Sequence, residues 1–339
     1  MTPSASGWSG RSRDGSLARA TARAVSLAIA SLAIAVALIA PHAARAQGTM
    51  AAGPLVDEWV KKPVDDRTFR SFLGFFKYDR ALPLNTQVAS TVDSAGLRRE
   101  RVSFVSTAGT RVTAILVQQL PLPTARRPAI VFLHGGTRRG KDAPGYVGFT
   151  EYLARAGFRV LSIDFPEFGE RATGLLTSFT EEDKHEKLYN QPATFLAWVT
   201  QSVKDAGRAI DFLVAERNTD STRVVLVGQS RGGQMALIIG GAEMRFRGVV
   251  AMSAGHMDHF ESGHLPAACP ANYIGRISPR PLYTVNGTSD ADYSRDSSVM
   301  PLHKLARKPA QHVWLEMGHT MPPEDQRGTL IAFLQDVIK

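Results

Sequence analysis

Eight short apolar runs, several rich in β-branched residues, recur along the chain from about Arg101, and longer stretches with apolar residues every three or four positions separate most of them. The two periods predict strands and helices in alternation. Arg101 to Val105 and Arg111 to Val117 flank the turn Ala108-Gly109-Thr110 and read as an opening hairpin. Six further runs follow, at Ala129 to Leu133, Arg159 to Ile163, Val224 to Gly228, Gly248 to Met252, Leu282 to Val285 and His312 to Leu315. Helical patterns lie near Val147 to Arg155, Ala193 to Glu216, Gly232 to Gly240, Ser294 to Ala306 and Pro323 to Ile338. Apolar strands alternating with crossover helices predict an α/β protein of three layers, with a mostly parallel sheet opened by an antiparallel hairpin. Two stretches break the rhythm, Phe165 to Gln191 and Ala254 to Arg276. Both follow strand C-termini, where open parallel sheets bind ligands, and they are expected to form pocket walls or short cap excursions.

Upstream of the hairpin the pattern weakens. Residues 47–100 read as an irregular extension packed on the core, with one helix expected over Asp65 to Tyr78 whose Phe69, Phe72 and Phe76 share a packing face. Residues 1–46 read differently again. Arg11, Arg13, Arg19 and Arg23 precede an uncharged stretch from Ala24 to Ala40, and Ala44-Arg45-Ala46 offers a small-residue cleavage box, which together predict a signal peptide and a secreted or periplasmic protein. A retained anchor is the alternative reading of that apolar stretch. The domain boundaries expected are therefore 1–46, 47–100 and 101–339.

Charge changes the picture little. The chain has 40 basic and 31 acidic residues, and setting aside the five arginines and one aspartate of the leader leaves 35 and 30, only mildly basic. No basic tract is interleaved with aromatics, so nothing points to nucleic acid. The single cysteine, Cys269, excludes an intrachain disulfide and reads as a buried, inert thiol. Oligomeric state leaves no mark on the sequence.

Chemistry concentrates at Gly228-Gln229-Ser230-Arg231-Gly232, between an apolar strand and a helical run. A chain that turns from strand to helix so abruptly exposes Ser230 at the sheet edge, and glycines at 228 and 232 let the backbone pass. A serine hydroxyl needs a base, and the base needs an acid to fix its tautomer. His319, in Gly318-His319 after the last strand, is the expected base; His303 and His312 are rivals, on a helix and within a strand. Asp290, in Gly287-Thr288-Ser289-Asp290, is the expected acid, with Asp292 as rival. Backbone donors for an oxyanion are expected from Arg231 N–H and from the loop His134-Gly135-Gly136-Thr137, through Gly136 or, alternatively, Thr137.

These elements resemble the α/β-hydrolase superfamily in kind and in chain order, over about Arg101 to Lys339. The short excursions and the stretch Tyr78 to Leu84 resemble secreted acetylxylan-esterase-like and dienelactone-hydrolase-like esterases, although true dienelactone hydrolases carry Cys where this chain has Ser230. The resemblance implies a serine hydrolase that cleaves small-molecule or carbohydrate-linked carboxylic esters through an acyl-enzyme, with no cofactor and no metal. A peptidase or lipase of the same fold, or a ligand-binding pseudo-hydrolase, are the alternatives. Tyr146, Phe165 and Phe168 are expected to line the substrate pocket. His256, Asp258, His259, Glu261 and His264 crowd one excursion without matching a fixed metal motif, and read as a polar wall. Arg138, Arg139 and Lys141 read as a solvated loop that could also attract an acidic group, and Trp198 reads as core.

Overall fold

The computed structural model describes residues 58–107 and 109–339. The expected leader, residues 47–57 of the extension and Ala108 of the hairpin turn lie outside the described residues. Among the described residues nine strands form one sheet: β1 (Gln87–Ser94), β2 (Leu97–Val105), β3 (Arg111–Gln119), β4 (Arg127–Leu133), β5 (Arg159–Ile163), β6 (Thr219–Gln229), β7 (Gly248–Met252), β8 (Leu282–Gly287) and β9 (Ala310–Leu315). Their spatial order is β1-β2-β3-β5-β4-β6-β7-β8-β9. The pairs from β1 to β5 through β3 are antiparallel, and those from β5 through β4 to β9 are parallel. The sheet is thus mostly parallel and opened by antiparallel strands, as its patterning predicts.

Helices cover both faces because the central strands are apolar on both. On β4, Ala129, Val131 and Leu133 point into one core, and Ile130 and Phe132 into the other. On β6 the same alternation sends Val224 and Leu226 one way, Val225 and Val227 the other. The first core is completed by α3 (Pro192–Glu216) and α4 (Arg231–Ala242), the second by α2 (Pro144–Arg155) and α5 (Gly328–Val337). Trp198 and Cys269 are buried in the first core.

The extension departs from expectation in two ways. Its helix, α1, spans only Asp66–Phe72, capped by the Asp65 carboxylate on Thr68 N–H at 2.7 Å, and non-helical turns carry the chain onward. Phe69 and Phe76 still pack on Tyr273, and Phe72 is partly buried. Secondly, the sheet begins inside the extension: β1 and the first half of β2 precede Arg101. Every residue of β1 is exposed, so no buried face imprinted a period-2 pattern that sequence could reveal. The buried Arg208 of α3 donates to the carbonyls of Leu82 and Val105, at 2.6 and 3.2 Å, and so ties the Tyr78 to Leu84 stretch to the core.

The two excursions fold as short turns. Residues 181–189 form a helical turn, Glu181–Lys184, running into a π-type turn, His185–Tyr189. Residues 266–276 form three 3-10 turns. Where one helix was expected over Ser294 to Ala306, a π-type turn, Arg295–Val299, leads into Met300–His303.

Candidate active site

Ser230 joins β6 to α4 with φ 57° and ψ −125°, a left-handed backbone that a serine adopts only where its surroundings enforce it. The surroundings are tight. A Cβ on Gly228 would lie 2.0 Å from Gly232 O, and one on Gly232 would lie 2.2 Å from Leu133 O. Both glycines are thus required for α4 to start against β4. Ser230 N–H donates to Met252 O of β7 at 2.9 Å, which anchors the turn.

His319 follows β9, and its Nε2 lies 2.7 Å from Ser230 Oγ. Its Nδ1 faces both Asp290 oxygens, at 3.0 and 3.1 Å. The loops after β8 and β9 meet because Gly287 has no side chain: a Cβ there would lie 2.1 Å from Met317 O. Thr288 and Ser289 N–H bonds to Leu315 O and Met317 O then clasp the loops. The structure therefore brings together Ser230, Asp290 and His319, with Asp290 on Nδ1. Asp292 sits on the opposite side of the ring, its carboxylate 3.4 Å from Nε2. His303 and His312 meet edge to face beside Thr284, away from the site, and burial lowers their pKa values to about 3 and 4.

Electrostatics follow from this packing. Burial would lower the His319 pKa, but the Asp290 hydrogen bond and the charges of Asp290, Asp292 and Glu181 outweigh it and hold it above the usual 6.5. Burial works against the Asp290 carboxylate, yet bonds from His319 and from the Tyr293 and Asp292 N–H groups keep its pKa below the usual value.

In the loop after β4, Gly135 N–H is given to the Tyr146 hydroxyl at 3.0 Å and Thr137 N–H to Gly135 O at 2.8 Å. Of the two glycines and Thr137, this leaves Gly136 as the donor not engaged by those bonds. His134 is fully buried, donating from Nδ1 to Gly135 O and accepting Phe165 N–H at Nε2, so it pins the loop to the end of β5.

A cavity of about 210 Å³ opens over Ser230, bounded by Gly136, Tyr146, Lys184, Tyr189, Asp292 and His319, among others. Tyr146 lines it, its hydroxyl donating to Gln229 Oε1 at 2.6 Å. Phe165 and Phe168 do not. Both are buried against His134 and Trp198 in the core, because the chain after β5 turns inward before the excursion rises. The aromatic wall comes instead from Tyr189 and Tyr293, and a cation from Lys184, whose Nζ donates to Gly136 O at 2.7 Å. No periodicity marks Tyr189 and Lys184 in the first excursion or Tyr293 in the loop after β8.

The side chain of Arg231 has a second role that the sequence did not disclose. Its buried guanidinium contacts Glu261, Asp258 and Gln234, and lies 3.9 Å from the centre of the Tyr189 ring. Asp258 also bonds His185 Nε2 at 3.0 Å, so one ion-pair chain joins α4 to both excursions. The carboxylates of the His-rich excursion are thus turned toward an arginine. Asp142, Asp164 and Glu170 also converge, but around the ammonium of Lys141, which is buried and not solvated, 2.5 to 2.9 Å away. Arg138 packs over Phe179.

The family model described as "Alpha/beta hydrolase family" matches residues 130–332. Among solved structures, acetyl xylan esterase 1 from Thermoanaerobacterium sp. JW/SL YS485 aligns with a TM-score of 0.60 at 15% identity, covering 83% of this chain and 98% of that one. An acetyl xylan esterase from Paenibacillus sp. R4 aligns with a TM-score of 0.59 at 15% identity, covering 82% and 98%. Identities this low speak to the fold alone. By sequence, dipeptidyl aminopeptidase BIII of Pseudoxanthomonas mexicana is 24% identical over 194 residues, 52% of this chain and 26% of that protein. The chain thus spans about a quarter of that relative's length.

Proposed function

The chain belongs to the alpha/beta hydrolase family, and from that premise we propose that it is a serine esterase acting on small, polar carboxylic esters. One observation carries the reading: His319 Nε2 lies 2.7 Å from Ser230 Oγ while Nδ1 rests on Asp290. In this mechanism His319 accepts the Ser230 proton as Oγ attacks the ester carbonyl. Arg231 N–H and Gly136 N–H receive the negative charge on the former carbonyl oxygen. The imidazolium then protonates the leaving alcohol, and water repeats the cycle on the acyl-enzyme.

The cavity supports a hydroxyl-bearing or carbohydrate-linked ester. It is small, and Glu181, Lys184, Asp258 and Asp292 line it, so a long acyl chain would strand polar groups against hydrocarbon. This disfavours a lipase. Two fold neighbours are acetyl xylan esterases by name, which makes acetylated sugars the first substrates to try. The reading includes export to the periplasm or beyond, resting on the basic, apolar and small-residue order of residues 1–46. Peptidase activity has one observation in its favour, the partial likeness to a dipeptidyl aminopeptidase. Among the described residues no helix is long and apolar enough to cross a membrane.

The test is a panel of soluble acetate, longer-chain acyl and amide substrates, run on the wild type and on Ser230→Ala, with fluorophosphonate labelling alongside. Labelled wild type, turnover of short polar esters and a dead variant are expected. Equal turnover by both proteins would reject the mechanism, and amide cleavage outpacing ester cleavage would replace esterase with peptidase.

A further inference from the structure

The loop after β8 carries two carboxylates to opposite sides of one imidazole. Asp290 takes Nδ1, and Asp292 Oδ2 stands 3.4 Å from Nε2, the nitrogen that faces Ser230. The other acidic side chains lining the cavity have cations of their own. Glu181 is paired with Lys184 at 2.5 Å, and Asp258 with Arg231 at 2.8 Å. Among the described residues, the only partner of the Asp292 carboxylate is His319. Its backbone is fixed independently, since its N–H donates to Asp290 Oδ1 and its carbonyl accepts His259 N–H. The loop therefore does not need this side chain to hold its shape, and 40% of the side chain remains exposed to the cavity mouth.

The contact changes character during the reaction, on the serine-esterase reading on which this inference rests. In the resting enzyme Nε2 presents a lone pair to the Ser230 hydroxyl, and a carboxylate nearby gains nothing from it. As Oγ bonds to the carbonyl carbon, the carbonyl electron pair moves to oxygen and the hydroxyl proton moves to Nε2. The ring is then a cation, with the Asp292 carboxylate at ion-pair distance from its Nε2 while Nε2–H faces the reacting oxygens. When the ester C–O bond breaks, that proton leaves with the alcohol oxygen, and the cycle recurs with water. An interaction that is stronger at the top of the barrier than at rest raises the rate rather than only the affinity.

We propose that Asp292 is a positioning residue that stabilises the His319 imidazolium in both half-reactions. The groups facing the ring are Ser230 from the elbow, Asp290, Asp292 and Tyr293 from the β8 loop, and Glu181 from the first excursion. Beyond them, Lys184 and Arg231 are engaged with carboxylates. Among the described residues, Asp292 is the one negative group on the Nε2 side that is not already shared with a cation other than this ring. Its cost is that the resting ring holds a proton to higher pH.

The experiment compares wild type with Asp292→Asn and Asp292→Ser on two acetate esters, one with a polyhydroxyl alcohol and one with an alcohol lacking hydroxyls. Each variant is expected to lose about threefold to tenfold in kcat/KM on both esters, the size suited to a partly exposed ion pair. The acidic limb of the pH profile should move down by about half a unit to one unit, since the imidazolium has lost a stabilising charge. Asp292→Glu should restore both partly. An unmoved limb, or a loss confined to the polyhydroxyl ester, would overturn the proposal, the second because Asp292 would then be contacting substrate. If Asp292→Asn fails to fold, Asp292→Ser and Asp292→Glu decide by the same readouts; if none of the three folds, the side chain is structural and the proposal fails. Failure of the esterase reading looks different: the wild type itself would resist fluorophosphonate or match Ser230→Ala.

Discussion

Replacing Arg231 by methionine isolates the ion-pair chain that ties the nucleophile turn to the excursions. The Arg231 side chain is 4% exposed, that of Glu261 is fully buried against it and Asp258 lies 2.8 Å away. Methionine keeps the backbone N–H and much of the side-chain volume, so the change falls mainly on charge. Removing one partner of a buried pair leaves the other desolvated and alone, at a cost of about 3–5 kcal/mol. For a domain of this size that is a fall in Tm on the order of 10 °C. Guanidinium chloride unfolding would read it as a lower midpoint at constant m. Glu261→Gln in the Arg231→Met background should recover about 1–3 kcal/mol, because the orphaned charge is gone. Activity should fall with Arg231→Met, since the 254–276 excursion and the first turn of α4 share this anchor. A loss below about 1 kcal/mol, or single-variant effects that simply add in the double variant, would refute the assignment of a coupled buried network.

Asp290→Asn keeps the oxygen that accepts the Asp292 and Tyr293 N–H bonds, yet presents an amide to His319 Nδ1 and favours the wrong tautomer. Steady-state kcat on a soluble ester should drop about 10⁴-fold with Tm little changed, and a loss under about tenfold would argue against Asp290 as the acid. Gly232→Ala puts a methyl carbon 2.2 Å from Leu133 O, a backbone atom that cannot yield, so α4 and its oxyanion donor must shift by about 1 Å. A fall in kcat of about 10²-fold is expected; near wild-type kcat would show that the elbow tolerates the displacement. Because the base is active when neutral and the His319 pKa is raised, kcat/KM should climb with pH through a limb above 6.5. The same shift has a linked sign: the stability it supplies is complete below the unfolded-state value and fades as pH rises through the folded one. A flat rate profile between about pH 6 and 9 would exclude a histidine base.

The sequence alone determined the alternation of strands and helices, because both central faces of β4 and β6 are buried and their apolar runs are local facts. It singled out Ser230 for a similar reason, since the close backbone approach at that turn requires two glycines within two residues of it. Its limits are as physical. β1 was invisible because it buries nothing, and α1 fell short of its Phe pattern because a stripe can pack through turns as well as through a helix. Residue type suggested Phe165 and Phe168 for the pocket, but side-chain direction depends on where the chain turns after β5, and they went to the core. The spacing Gly287-Thr288-Ser289-Asp290 favoured Asp290 as the acid, and the structure sets it on Nδ1, but tertiary structure alone put Asp292 beside Nε2. It also turned Asp258 and Glu261 toward Arg231. Strand period and a glycine-bounded turn are properties of neighbours along the chain; which carboxylate meets which nitrogen is decided only when separate loops are packed against one another.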